Sequence, residues 1–381
     1  MNATPPDARA AGITDPRAGA TGREIAQQPR VWREVAGIVA EMRDEIDAFL
    51  SPFLEKRGAR VVLTGAGSSA YVGQLVRDEV ARGTGVRVDA IATTDIVSNP
   101  RDAFAGDVPT LLVSFARSGD SPESVAATGL ANALLGDVSH VVFTCNPEGA
   151  LARSGATDPR TLVVPLPLVT NDRGFAMTSS FTSMALSSAI ALRPGFDGRA
   201  TADLVARGAE RILRTRADDL AALAARGTSR FVYLGSGPLE ALARESALKV
   251  LELTGGSTIA ISESSLGFRH GPKSILTPDS VVVSFTSNDP YTRQYDRDIQ
   301  EEISRAVPDG IVVIGSGDDA WSVPEVSGVS DAFAALSYLT AAQVLALNMS
   351  ISAGVSPDNP SPSGAVNRVV QGVWIHPLPS V

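Results

Sequence analysis

Cysteine and histidine are scarce in this chain: one and three respectively among 381 residues. A single cysteine, Cys145, excludes an internal disulfide and a cysteine-rich zinc site. Basic residues are also outnumbered, 33 against 42 acidic ones, for a net charge of −9. That balance argues against a nucleic-acid partner, because counterion release needs clustered Lys and Arg. An anionic substrate is repelled by the molecule as a whole. Its charge must then be met locally by backbone N–H groups, hydroxyls and helix N-termini. Aromatics make up only 5% of the chain, whereas Ala, Val, Leu and Gly are abundant. Such a composition suits parallel sheets packed between helices better than a β-sandwich. No unbroken apolar run reaches about 18 residues, so no membrane span is expected. Residues 1–20 carry Asp7, Arg9, Asp15 and Arg17 around no apolar core, unlike a signal peptide. They read as a flexible N-terminal arm, and the cytoplasm as the expected compartment.

Short apolar, β-branched runs bounded by Gly, Pro, Ser or Asn do recur, at Arg60–Thr64, Pro109–Ala116, His140–Asn146 and Thr161–Pro167. A second set follows at Arg230–Leu234, Val281–Thr286 and Gly310–Ile314, with helical patterns such as Pro122–Leu135 and Leu239–Leu253 between. Strands alternating with helices predict an α/β fold of βαβ units. The first strand of each half runs into a similar glycine turn, Gly65-Ala66-Gly67-Ser68-Ser69 and Gly235-Ser236-Gly237-Pro238. Strand, turn and helix occurring twice imply an internal duplication. The expected organisation is an arm over 1–20, an opening helix and first domain over 21–195, a linker helix and second domain over 196–355, and a tail over 356–381. Four prolines in Ser356–Ser363 exclude helix and central strand there, leaving an extended tail.

The turn Gly65–Ala70 lies between a strand and a helix, where glycines admit a ligand and the helix offers free N–H donors. It fits three readings: a plain capped turn, a phosphate cradle, or a dinucleotide site of the loose G-x-G-x-x-A type with Asp89 about 20 residues on. The next strand-to-helix junction, Ala116-Arg117-Ser118-Gly119-Asp120-Ser121 before Pro122, tips the balance. Two adjacent Ser/Gly junctions at the carboxyl ends of parallel strands suit one small phosphate better than a long pyrophosphate.

This pair of loops resembles the SIS domain of phosphosugar isomerases, and the likeness runs over about residues 21–375. Gly22-Arg23-Glu24-Ile25-Ala26-Gln27-Gln28-Pro29 is similar to the opening segment of the isomerase half of glucosamine-6-phosphate synthase. Met177–Ser180, Glu245–Glu252 and His270-Gly271-Pro272 are similar to its later motifs. The wording of Asn171–Ser180 and Leu266–Ser274 resembles one branch in particular, the galactosamine-6-phosphate deaminases, also named tagatose-6-phosphate aldose–ketose isomerases. Several motifs in the same order make the likeness specific. It implies two tandem SIS domains, each a parallel five-stranded sheet in an αβα sandwich. It also implies phosphate binding by Ser69, Ser118 and Ser121, with Ser68 on the same turn, and sugar contacts from the Met177–Ser180 loop, chiefly Ser179. Arg117 stands where the synthase has a glutamine, and is expected either to bind phosphate or to face solvent.

Aldose–ketose chemistry needs a base that reaches carbons 1 and 2, for which a carboxylate is suited, and a group that opens the ring, for which histidine is suited near neutral pH. Glu245, Lys249 and Glu252 fall at i, i+4 and i+7 on one face of the predicted helix. From pattern alone, a solvated Glu–Lys face is the simpler account. The resemblance reverses it: Glu252 matches the proton-shuttling carboxylate, Lys249 the lysine beside it, and His270 a ring-opening histidine supplied by the neighbouring subunit. A homodimer with shared active sites follows from that match. Asn367 occupies the place of the synthase lysine that forms a Schiff base. It either contacts the sugar without a covalent bond or simply caps the tail.

The expected reaction is isomerising deamination of a 2-amino-2-deoxyhexose 6-phosphate with no cofactor and no metal. The alternatives are plain aldose–ketose isomerisation and a sugar-phosphate sensor without turnover. No nucleic acid or membrane enters as a partner.

Overall fold

The structure, a computed structural model, describes residues 7, 8, 11–370 and 372–379. The apolar runs form two sheets. The first contains β1 (Arg60–Thr64), β2 (Arg87–Ala90), β3 (Thr110–Ala116), β4 (Val138–Thr144) and β5 (Thr161–Pro165), in the order β2-β1-β3-β4-β5. The second contains β6 (Arg230–Leu234), β7 (Ile259–Glu263), β8 (Val281–Phe285), β9 (Ile311–Gly315) and β10 (Trp321–Ser322), in the order β10-β9-β8-β6-β7. Every pairing is parallel, with Val62 opposite Leu112 in the first sheet and Val232 opposite Val282 in the second. Counted from its own first strand, each sheet has the order 2-1-3-4-5. One plan is used twice. β1 and β3 are buried along their whole length, as central strands covered on both faces must be.

The helices that shape the site are α1 (Gly19–Ala26), α2 (Gln28–Glu41), α3 (Ser68–Thr84), α4 (Pro122–Leu134), α5 (Ser179–Ala191), α6 (Arg199–Thr215), α7 (Pro238–Leu253), α8 (Pro290–Ala306) and α9 (Asp331–Ser352). All of α5 is buried, and α9 packs against α6 and α7 at the centre of the molecule. By length and composition α9 could cross a membrane, yet 94% of its most apolar stretch lies inside the protein. Helix α7 of the second half lies against α3 of the first, so one continuous core joins the halves. The linker is helical in two pieces, α6 and Ala217–Ala225.

The flexible arm expected over residues 1–20 falls partly outside the described residues. Where the chain is described, Ala8, Ala11, Ile13 and Ala18 are buried in the main core, so this stretch is packed. Small apolar side chains fit a groove that a count of charges does not reveal. The tail lacks helix and strand over Ser356–Ser363. Asp358 ties it down, accepting from the backbone N–H of Ala20 (2.7 Å) and Thr21 (2.8 Å) at the start of α1.

Candidate active site

In a 2-1-3-4-5 sheet the connections part between the first and third strands, leaving a crevice at their carboxyl ends. Here that is the place between the loops after β1 and β3. Gly67 adopts φ 56°, ψ −128° and releases the chain into α3, which begins with Ser68 and Ser69. Only glycine takes that conformation without strain. Its counterpart Gly237 has φ 57°, ψ −125°, so the two turns share one backbone shape. After β3, Arg117–Ser121 turns into α4, with Pro122 in its first turn, a position where no N–H is needed.

These two loops line a crevice of about 240 Å³, closed by Phe175, Met177, Glu252 and the tail segment Val366–Val370. Ser68, Ser69, Arg117, Ser118, Ser121 and Asn367, all singled out from the sequence, are on its wall. The hydroxyls of Ser69, Ser118 and Ser121 are lightly engaged. Ser121 Oγ donates to Glu123 (2.8 Å), Ser118 Oγ accepts from the N–H of Asp120 (3.3 Å), and Ser69 Oγ lies 3.9 Å from Met177 Sδ. A larger hollow of about 450 Å³ between α1 and residues 168–173 contains none of the expected groups.

Helix α7 brings Glu252, with Lys249 and Glu245 behind it, to this crevice from the second half. Glu245 and Lys249 are fully buried, which overturns the solvated-face account of the pattern. Lys249 Nζ donates to Ser68 Oγ at 3.0 Å and to Glu252 Oε2 at 2.5 Å, and lies 3.2 Å from Glu245 Oε1. Ser68 Oγ donates in turn to Glu245 Oε1 at 3.1 Å. Burial alone would lower the Lys249 pKa, but its two carboxylates outweigh it and hold the ammonium above the ordinary lysine value. Burial pushes Glu245 up to about 7. Glu252 keeps a quarter of its side chain open, 23%, toward the crevice. The cluster therefore offers one accessible carboxylate backed by a buried cation.

Three expected residues stand differently. Ser179 does not reach the crevice: its hydroxyl donates to buried Asp172 (2.6 Å) and accepts from Gln27 (2.9 Å). Asp172 also accepts from the N–H groups of Thr178 and Ser180, both at 2.8 Å, capping α5, so this serine is spent on holding the loop. The residues of that loop that do face the crevice are Phe175 and Met177. Arg117 neither faces solvent nor stands free. It is buried and donates to the carbonyls of Phe175 (3.1 Å) and Arg368 (2.6 Å). His270 is exposed on the loop after β7 and does not line the crevice of its own chain. Asn367 lines the crevice, and its amide donates to Gly364 O at 3.3 Å within the tail.

The opening segment supports the same wall. Glu24 accepts from the N–H groups of Arg173 (2.5 Å) and Gly174 (3.1 Å), and burial with nearby Asp172 pushes its carboxyl up to about 7. Sequence reasoning gave no role to Glu24, Glu245, Phe175 or Arg368. Only the spacing of Glu245 to Lys249 signalled any of them. Among the described residues no group of His, Cys, Asp and Glu is placed to hold a metal ion.

A duplicated parallel sheet with a serine-lined crevice at one switch point and a buried carboxylate–lysine cluster beside it defines a phosphosugar isomerase of the tandem SIS class. No protein-family model matches the chain. The chain is 54% identical over 369 residues to a Streptomyces coelicolor protein bearing the AgaS name, covering 94% of this chain and 95% of that one. It is 42% identical over 378 residues to the Escherichia coli D-galactosamine-6-phosphate deaminase AgaS, covering 95% and 98%. The crystal structure of the Escherichia coli tagatose-6-phosphate ketose/aldose isomerase superposes with a TM-score of 0.87 at 38% identity, over all of both chains. The chain belongs to the D-galactosamine-6-phosphate deaminase AgaS family.

Proposed function

We propose that the chain converts a 2-amino-2-deoxyhexose 6-phosphate, galactosamine 6-phosphate first, with water into the ketose 6-phosphate, tagatose 6-phosphate, and ammonia. The observation that carries this reading is the meeting of the Glu245–Lys249–Glu252 cluster with the serine crevice. Phosphate lies against Ser69, Ser118 and Ser121, which fixes the far end of the open chain. Glu252 takes the proton from carbon 2 and returns it to carbon 1. Lys249 stabilises the carboxylate form between transfers. The product is an imine at carbon 2, which water hydrolyses. The substrate brings its own amine, so a Schiff-base lysine at the position of Asn367 is unnecessary. His270 opens the ring from the neighbouring subunit of a homodimer, in the cytoplasm. The residues of the site are themselves acid, base and hydrogen-bond donors, sufficient for this proton transfer.

Incubation with galactosamine 6-phosphate and glucosamine 6-phosphate, with ammonia and ketose phosphate both measured, tests the reading. One ammonia per ketose phosphate, with the galacto ester preferred, is the expected result. Ketose formation only from unaminated aldose phosphates makes the chain a plain isomerase, and tight binding without turnover makes it a sensor.

A further inference from the structure

Two guanidinium groups come together beside the phosphate crevice, and neither has a carboxylate partner among the described residues. Arg117, 8% exposed, uses two of its five N–H donors on the carbonyls of Phe175 and Arg368. Arg368, on the tail, donates from Nε to Gly174 O (3.3 Å) and from its terminal nitrogen to Asn171 Oδ1 (3.3 Å) and Asp172 O. The pair thus joins three segments: the loop after β3, the loop before α5, and the tail. Every partner is a neutral oxygen. Both residues lie on the crevice wall with Ser69, Ser118 and Ser121.

Carbonyl oxygens alone leave a costly arrangement. Two like charges are held close and one is buried, and no anion bonds to either: the nearby carboxylates of Asp172 and Glu252 accept from other donors. Burial lowers the Arg117 pKa and the charge of Arg368 lowers it further, and the carboxylates of Asp172 and Glu252 only partly offset this. The surrounding molecule carries a net charge of −9, so a local excess of positive charge is no by-product of composition. A phosphate monoester carries about −1.5 to −2 at neutral pH and offers three acceptor oxygens. Hydroxyls and N–H groups can bond such an anion but cannot neutralise it. Guanidinium forks can do both.

We propose that Arg117 and Arg368 supply the positive charge that holds the phosphate of the substrate, which makes the tail part of the binding site. This rests on the reading of the crevice as a phosphate site and goes beyond it by assigning the charge, and a segment of chain, that the serine loops do not provide. The remaining donors of Arg117 reach the phosphate directly. Arg368 adds its charge from the other side while it pins the tail across the opening. Phosphate affinity and closure of the tail are then one event.

The test is the affinity of the intact protein for inorganic phosphate, by titration calorimetry, with Arg117→Gln, Arg117→Lys, Arg368→Gln and Arg368→Lys. Each Gln variant is expected to bind phosphate roughly tenfold or more weakly, the loss of one charge-assisted contact. Each Lys variant should recover part of that loss, since charge returns without the fork. Phosphate should also slow proteolytic cleavage of the tail in the wild type and fail to do so in Arg368→Gln. Arg117 is buried and its Gln variant can fail to fold. Arg368→Gln, on the tail, carries the test in that event. Unchanged phosphate affinity in a folded Arg368→Gln protein, with only turnover reduced, would make the pair a mere clasp and overturn the proposal. A wild type that binds no phosphate overturns it together with the phosphate site. Absence of ammonia release from amino-sugar phosphates would sink the deaminase reading alone, because the phosphate titration does not depend on turnover.

Discussion

Lys249 is fully enclosed by protein, and two carboxylates and one hydroxyl surround its ammonium. An ammonium so enclosed is sustained only by the negative charge beside it, and it sustains that charge in return. The spacing of Glu245, Lys249 and Glu252 made their common face legible in the sequence. It could not tell a solvated face from one pressed against another domain, because helical period specifies direction and not the neighbour met there. The same limit applies to Arg117, which donates to the carbonyl of Arg368 in a tail 251 residues away in the chain. Glu252→Gln tests the chemistry at this scale. The amide keeps shape and can still accept from Lys249, but it cannot take a proton. Turnover and exchange of the carbon-2 hydrogen with solvent are both expected to fall by about 10²–10⁴ or more, with substrate affinity nearly retained. Isotope exchange in deuterated water, followed by NMR, checks it. Exchange at the wild-type rate would move the base to another residue.

At the level of elements, the two halves share a turn but not its use. Ser68 and Ser69 follow the turn at Gly67, whereas Pro238 and Leu239 follow the one at Gly237. The loops after β6, β7 and β8 instead converge on one buried carboxylate. Asp296 of α8 accepts from Ser236 Oγ (2.6 Å), Ser265 Oγ (2.5 Å) and the N–H of Ser287 (2.9 Å). That knot fastens the loop bearing His270 to α8, aided by Glu302, which accepts from Arg269 (2.7 Å) and from Lys273. Asp296→Ala strands three donors, two of them in fully buried residues, so a loss of about 3 kcal/mol is expected at roughly 1–3 kcal/mol per stranded group. Urea unfolding measures it, and Asp296→Asn, which keeps an acceptor, should lose less. A loss below about 0.5 kcal/mol would mean that these loops are held elsewhere. Most strands were legible from apolar runs because central parallel strands are buried on both faces. β2, β7 and β10 were not. β2 carries Arg87 and Asp89, no residue of β7 is fully buried, and β10 is only two residues long, so none has the pattern that burial imposes.

At the scale of the whole molecule, the proposed ring opening asks for a histidine at a crevice that has none among its described lining residues. Ring opening needs a proton donor and acceptor near neutral pH. His140 is buried in β4, its pKa lowered by desolvation, with Nε2 3.0 Å from Asn132 Oδ1, and is spent there. His376 lies in the tail beyond the segment that lines the crevice. His270 is exposed, on a loop that also exposes Leu266 (43%) and that follows β7, the edge strand of its sheet. An edge strand has one side unpaired within its own sheet, and a loop beside it is open to a second chain. If that partner is a second copy, one subunit places His270 at the crevice of the other, and each site draws Glu252 from one chain and His270 from its mate. Mixing subunits separates this arrangement from a site made within one chain. In a mixed dimer of Glu252→Gln and His270→Ala chains, one site carries both lesions and the other carries neither. Co-expressed, differently tagged subunits purified as mixed dimers are therefore expected to recover about half of the wild-type rate, whereas each variant alone stays inactive. Mixed dimers as inactive as their parents would confine His270 to its own chain or remove it from the chemistry.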